Sequence, residues 1–197
     1  LARSRIRVTV AHEADLPGVV ELWRHMRDVV ARMARLTPPP TLAAAQRLLA
    51  DTELDPAARL VVARLDEQVV GMAHLSVQPF APRHPGVAVH VDYLHVRPGN
   101  RRAGVGRALL GAAVAFADEV GAEHVVANVA PSLREANRFY ARLGFGPVFV
   151  RRMVAVGVLR RRLASGPDAS RSEMIRSRLA RDRSAAAQPH RPAPESS

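Results

Sequence analysis

Residues 95–110 read HVRPGNRRAGVGRALL, with Arg101, Arg102 and Arg107 set around Gly104 and Gly106. A loop that leaves a strand and enters a helix presents unpaired N–H groups at the positive end of the helix dipole. Glycine lets an anion approach those groups and arginine adds charge, so the stretch has the chemistry of a phosphate or pyrophosphate cradle. A glycine-bearing turn with solvated arginines has the same composition, and the pattern alone does not separate the two. A P-loop is excluded because the chain contains no lysine. A dinucleotide fingerprint needs Gly-x-Gly-x-x-Gly and an acid closing the next strand. Here the third glycine, Gly111, comes two residues late and the next strand ends at Asn128.

Just upstream, VAVHVDYLHV brings His90, Asp92 and His95 close in sequence. Residues two apart on a strand share a face, so His90, Asp92 and Leu94 point one way and Tyr93 and His95 the other. That parity argues against a metal set of His90, Asp92 and His95. His90 or Asp92 can instead act as a base, position a water or simply line a polar cleft.

The elements that must hold these residues follow from periodicity. RIRVTVA alternates as a half-buried strand does, and HEADLPGVVELWRHMRDVV has the apolar spacing of an amphipathic helix at Leu16, Val19, Val20, Trp23 and Met26 or Val30. TPPP breaks it, and TLAAAQRLLAD predicts a second helix capped by Thr41. RLVVARLDEQVVGMAHLSVQPF reads as a hairpin turning at Asp66, Glu67 and Gln68, and after APRHPG comes the strand VAVHVDYLHV. RALLGAAVAFADEVG is a helix closed by Gly121 and EHVVANVA is the next strand. PSLREANRFYARLGF is a helix with Ser132 and Glu135 at capping-box spacing, ended by Gly144, and FVRRMVAVGVL is a last strand. The order β, α, α, β, β, β, α, β, α, β predicts an α/β fold on a mixed sheet, antiparallel in its first half with a strand, helix, strand crossover in the middle.

A chain of 197 residues suits one domain with a tail, and with aromatics at 4% its core must come mainly from Val, Leu and Ala. Cysteine is absent, which removes disulfides and thiolate metal sites. The longest apolar run, residues 108–117, is about half the ~20 needed to cross a bilayer, and no secretory signal opens the chain. The chain therefore reads as soluble and cytoplasmic, without a membrane partner. The net charge of +11 comes from 29 basic residues, all arginine, and nine of them follow Leu159 against four acids. Such a balance favours anionic partners. For the tail, a solvated segment is the plainer reading and a nucleic-acid contact the sharper one. Residues 164–184 suggest a short basic helix, and AAAQPHRPAPESS is too polar and proline-rich to fold. The expected boundary places one domain at residues 1–159 and the tail at 160–197.

Taken together, Arg101-x-x-Gly104-x-Gly106 after YLHVRP, Asn128 on the next strand and ANRFYARLGF on the next helix resemble the acyl-CoA site of the GNAT superfamily of N-acetyltransferases, over roughly residues 5–159. The resemblance implies a mixed, largely antiparallel central sheet flanked by helices, with strands splayed at the cofactor site. It implies acetyl-CoA as co-substrate, no metal, and direct acetyl transfer to a primary amine. The pyrophosphate would lie on Arg101, Arg102, Ala103, Gly104, Val105, Gly106 and Arg107. The pantetheine arm would pair with main-chain groups of Leu94, His95 and Val96, with Asn128, Ser132 and Asn137 as further anchors. Ser132 is explained equally well as a helix cap.

Tyr140 matches the family tyrosine facing the thioester sulfur; a phenol of reference pKa about 10 is protonated at neutral pH and can supply the departing thiolate with a proton. His90 and Asp92 fall where relatives carry a catalytic glutamate or histidine, and the His95 N–H is a candidate for the oxyanion. Without cysteine or Gly-x-Ser-x-Gly, a covalent acyl-enzyme has little support. The acceptor would lie among the first two helices, the loop from Phe80 to Gly86 and the last strand, with Asp92, Asp51, Glu53 and Asp55 as candidate cation contacts. A homodimer is compatible with the family. The other class of function considered is a non-catalytic acyl-CoA sensor or nucleic-acid-associated module using the tail.

Overall fold

The computed structural model describes residues 6–29, 41–80, 86–148 and 152–164. Residues up to Leu143 form one compact unit and those from Gly144 another. In the first unit β1 (Arg7–Val10), β2 (Ala58–Leu65), β3 (Gln68–Pro79), β4 (Val87–Val96) and β5 (His124–Ala127) lie side by side in chain order. The pairs β1/β2, β2/β3 and β3/β4 are antiparallel, and β4/β5 is parallel. This is the mixed, largely antiparallel sheet that the element order predicts. The hairpin between β2 and β3 turns on Asp66 and Glu67, at φ 49° and 64°. That pair of positive angles suits a two-residue turn whose twist matches the strands. Gln68 already belongs to β3.

One sheet face is covered by α1 (Leu16–Val29) and α2 (Leu42–Leu54). Leu16, Val19, Val20 and Trp23 recur at helical spacing and are buried with Ala45 and Leu49 against Leu60, Val62 and Met72. Each buried Leu or Val side chain is worth about 1.5–3 kcal/mol, so this stripe, more than helix propensity, holds α1 in place. Thr41 caps α2 as its position predicts, its hydroxyl accepting the Ala44 N–H at 3.1 Å. At the start of α1, Asp15 pairs with Arg64 of β2 and accepts the His12 N–H at 2.9 Å.

The opposite face carries α3 (Val105–Val120), which buries Val105, Leu109, Ala113 and Phe116. Gly71 of β3 permits that approach, because a Cβ there would stand 2.7 Å from Val105 Cγ1 and 3.2 Å from Leu109 Cδ1. Gly121 ends α3 at φ 68°, with the Ala122 N–H bonded to the Ala117 carbonyl at 2.9 Å. After β5 comes α4 (Arg134–Ala141). Among the described residues no helix is long and apolar enough to cross a membrane.

Two elements differ from expectation. Ser132 does not cap α4: the N-cap is Leu133, with no side-chain bond. The Leu133 N–H bonds the Ala130 carbonyl at 3.0 Å, a turn through Pro131 and Ser132 that postpones the helix to Arg134. The strand expected at residues 149–159 is also absent where it can be judged. Residues 152–155 carry no regular structure, and α5 (Val156–Ala164) is a helix. There the helix-forming Leu159, Arg160, Arg161, Arg162 and Leu163 outweigh the β-branched residues before them. Residues 149–151, and the basic helix expected from residue 165 onward with the tail beyond it, lie outside the described residues.

Candidate functional site

The site is built on β4. Its register with β3 is regular from Val87 to Asp92 and then slips: His74 pairs with Asp92, but Met72 pairs with His95. Tyr93 and Leu94 thus share one step of β3, a bulge in which Tyr93 adopts φ 54°. This overturns the strand parity read from the sequence. Cross-strand partners share a face, and Met72 and His74 lie two apart on β3, so His95 falls on the same face as Asp92 and His90. That is the face covered by α1 and α2, and His95 is buried there at 7% exposure. Even so, no three His, Cys, Asp or Glu side chains among the described residues gather as a metal site.

On its other side β4 outruns β5. The parallel ladder ends at the pair Val91 and Ala127, where the Asn128 N–H reaches the Val91 carbonyl at 3.4 Å, while β4 runs on to Val96. Just past the end of the ladder the Asn128 Nδ2 donates to Asp92 Oδ1 at 2.7 Å. The Arg97 N–H donates back to Val70 of β3 at 2.8 Å, so alternation turns the Val96 main-chain groups the other way, into the opening. His90 sits one ladder step back, where β4 still pairs with Val126 of β5.

The glycine and arginine loop follows directly. After a short turn at Pro98–Asn100, Arg102 and Gly104 take left-handed angles of 66° and 93°, and Gly104 is the N-cap of α3. The first helical bond runs from the Ala108 N–H to the Gly104 carbonyl at 3.0 Å, which leaves the N–H groups of Val105, Gly106 and Arg107 without a helical acceptor. The Val105 side chain is buried in the core, whereas Arg101, Arg102, Ala103, Gly104 and Arg107 are exposed. Arg101 makes a surface ion pair with Glu135 at 3.3 Å. Left-handed turns, free N–H groups and guanidinium groups at one helix start form a donor set that fits a pyrophosphate. Gly106 lies close to α4, since a Cβ there would stand 3.1 Å from Phe139 Cζ. Asn137 stitches the preceding loop, donating to the Ala130 and Leu133 carbonyls at 3.0 and 2.8 Å. Asn128, Ser132 and Asn137 are all exposed.

Asp92 acts electrostatically on three neighbours. Burial first, and the Asp92 charge second, push the Tyr140 phenol up to about 12 and also raise Tyr93. Tyr140, buried at the end of α4, therefore keeps its proton across the working pH range. Burial lowers His74, with Asp92 opposing the shift. Burial, then the positive charges of Arg101 and His25, bring His95 down to about 4. His74 and His95 are thus held toward their neutral forms by desolvation.

The sequence reading places Trp23 only on the apolar face of the first helix and gives no role to His25, His74 or Tyr93. The Tyr93 ring stands 5.9 Å from Trp23 and 6.4 Å from His74. The ring nitrogens Trp23 Nε1, His25 Nδ1, His74 Nδ1, His90 Nε2 and His95 Nε2 are buried without a hydrogen-bond partner. No local pattern marks these residues, because only the β3/β4 register and the seating of α1 bring them together. Glu53 and Asp55 instead line a groove with Val10, Ala11 and Arg59 at the β1/β2 edge, on the far side of β3 from Asp92. Asp51 is exposed on α2. The middle of the loop expected to help bind an acceptor, residues 81–85, lies outside the described residues.

Comparison with known proteins bears on the family and the fold. A family model described as the acetyltransferase (GNAT) family matches residues 23–145. Among solved structures, a transcriptional regulator from Bacillus halodurans C-125 is similar, at 22% identity and a TM-score of 0.65 over 77% of this chain and 99% of that one. A ribosomal-protein-alanine N-acetyltransferase from Brucella melitensis biovar Abortus 2308 matches at 20% identity and TM-score 0.58, over 77% and 99% of the two chains. An aminoglycoside N-acetyltransferase, AAC(6')-Iy, solved in complex with CoA, matches at 17% identity and TM-score 0.60, over 77% and 97%. No curated protein matches the chain.

Proposed function

Because the chain belongs to the acetyltransferase (GNAT) family, we propose that it moves the acetyl group of acetyl-CoA directly onto a primary amine. The observation that carries this reading is the continuity of β4: its stretch beyond the end of β5 leads directly into the donor-lined start of α3. Bound acetyl-CoA supplies the activated thioester. The N–H groups and arginines of residues 101–107 hold its pyrophosphate, and the open edge of β4 at Leu94 and Val96 pairs with the pantetheine arm as an added strand would; His95, expected to share in this, alternates back so that its main-chain groups face Met72 of β3. Asn128, Ser132 and Asn137 anchor the arm from the other side, and Ser132 is available because Leu133 takes the cap position.

The acceptor arrives as an ammonium and must lose a proton before it can attack. Asp92, where β4 passes the end of β5, receives that proton itself or through a water. His90, a step farther back, is the second choice for the same task. Tyr140 donates its proton to the sulfur as the thiolate departs. A phenol raised to about 12 is a weaker acid than a thiol, so the phenolate does not persist. The second proton lost by the newly acylated nitrogen restores it.

The test is the melting temperature with and without acetyl-CoA. Saturation at about 100 times the dissociation constant adds roughly 2.7 kcal/mol. At about 2–4 °C per kcal/mol for a domain of this size, the melting temperature should rise by about 5–10 °C. No rise in folded protein would refute the cofactor assignment and with it the reaction.

A further inference from the structure

We propose that Arg97 is a positioning residue: by pairing with Glu21 of α1 it fixes the exit of β4 and keeps the loop at residues 101–107 formed for acetyl-CoA, without touching the cofactor itself. The proposal rests on the transferase reading above and deepens it.

Arg97 stands where β4 has ended and the loop begins, and both its main chain and its side chain are tied down. Its N–H donates to the Val70 carbonyl at 2.8 Å, which binds this end of β4 to β3. Its carbonyl accepts the Asn100 N–H at 2.9 Å and so starts the turn at Pro98–Asn100 that leads to Arg101. A proline restricts the residue before it to extended backbone, and Arg97 lies there, at φ −50° and ψ 133°. From that fixed backbone its Nη2 donates to Glu21 Oε2 at 2.9 Å and to the Val69 carbonyl at 3.3 Å.

Those two acceptors lie along one seam. α1 meets the start of β3 at Gly18, where a Cβ would stand 2.8 Å from the Val69 Cβ. Three residues on, about one helical turn along, Glu21 reaches Arg97. One guanidinium therefore bridges α1, β3 and the exit of β4. Arg97 is half-buried in this role, whereas Arg101, Arg102 and Arg107 of the loop are exposed.

The loop gains from such a tie because of its own backbone. It enters left-handed conformation at Arg102, an angle that a residue other than glycine holds under constraint from its surroundings. Arg97 constrains the entry, and the start of α3 at Gly104 constrains the exit. A binding loop that is formed only part of the time binds more weakly by that fraction. A residue that keeps it formed raises affinity with no contact to the ligand.

The experiment is calorimetric titration of the full chain with acetyl-CoA, in wild type, Arg97→Gln, Glu21→Gln and the double variant. Glu21→Gln separates positioning from direct contact by sign. It removes one negative charge, so electrostatics alone would tighten the binding of an anionic cofactor, and an arginine released to touch the pyrophosphate would tighten it further. Positioning predicts the reverse, binding about three- to fivefold weaker, on the scale of a partly exposed ion pair. Arg97→Gln should weaken binding at least as much, and the double variant no more than Arg97→Gln. The melting temperature without cofactor should fall by no more than about 4 °C in Glu21→Gln. If Arg97→Gln folds poorly, Glu21→Gln decides alone, since it keeps the side-chain shape at an exposed helix position. Unchanged or tighter binding in Glu21→Gln, with or without a lower melting temperature, would overturn the proposal, as would additive losses in the double variant. Failure of the wild type to bind acetyl-CoA would instead remove the transferase reading beneath it.

Discussion

Replacing His95 with leucine should remove much of the protein's sensitivity to mild acid. In the fold the imidazole titrates near 4, against an ordinary value of 6.5, because burial and then the Arg101 and His25 charges disfavour its protonated form. A depressed pKa means that the folded state prefers the neutral ring. Its contribution is therefore present above about pH 6.5 and is lost as the pH falls toward 4. Using those two values, protonation of the unfolded chain but not of the fold removes about 2 kcal/mol between pH 7 and pH 5. At about 2–4 °C per kcal/mol, the wild-type melting temperature should drop by about 4–8 °C over that interval. Asp and Glu titrate mostly below it, and His74, also lowered by burial, adds a smaller fall of the same sign. The His95→Leu variant should lose most of the His95 part, while its response to acetyl-CoA at pH 7 stays intact, since the His95 side chain is buried on the α1 and α2 face and its main-chain groups pair with Met72 of β3. The assay is a pair of melting curves at pH 7 and pH 5 for each protein. Equal drops in wild type and variant would refute both the pKa argument and the buried placement of His95 that the bulge creates.

Two further outcomes follow from the same geometry. Tyr140→Phe should lower kcat by about 10²–10⁴-fold with little change in acetyl-CoA affinity, and a phenol near 12 cannot produce an alkaline limb below about pH 10; full activity across a pH series would take Tyr140 out of the mechanism. Gly71→Ala should cost about 1–3 kcal/mol, because its Cβ would stand 2.7 Å from Val105 Cγ1 at the first turn of α3. Its melting temperature should fall by about 2–12 °C and its acetyl-CoA shift should shrink with the displaced loop; an unchanged melting curve would show that α3 is not seated on β3 as described.

What the chain reveals by itself divides according to whether a feature is local. The Thr41 cap, the Gly121 helix end and the turn at Asp66 and Glu67 depend on neighbours a few residues away, and each appears where its residue types point. The loop around Gly104 is legible for the same reason, since its angle of 93° is one that glycine adopts without strain. Ser132 was misleading because two local devices compete at that point, and the turn through Pro131 takes precedence over the capping box. The bulge at Tyr93 has no such signature: nothing in VAVHVDYLHV announces an extra residue, and a tyrosine is a poor advertisement for positive φ. Only pairing with β3 reveals it. Yet that single unpaired step decides the chemistry of the face, because it brings His95 onto the side of His90 and Asp92 and sets the Tyr93 ring beside the carboxylate. A strict period of two makes strand faces easy to read and equally easy to misread, since one inserted residue inverts every assignment after it. Residues proposed to bind through the main chain, such as Leu94 and Val96, are indifferent to that inversion as far as side-chain identity goes. Side-chain chemistry is not, which is why the geometry of the loop around Gly104 is legible from spacing while the grouping of His95 with His90 and Asp92 waits for the register.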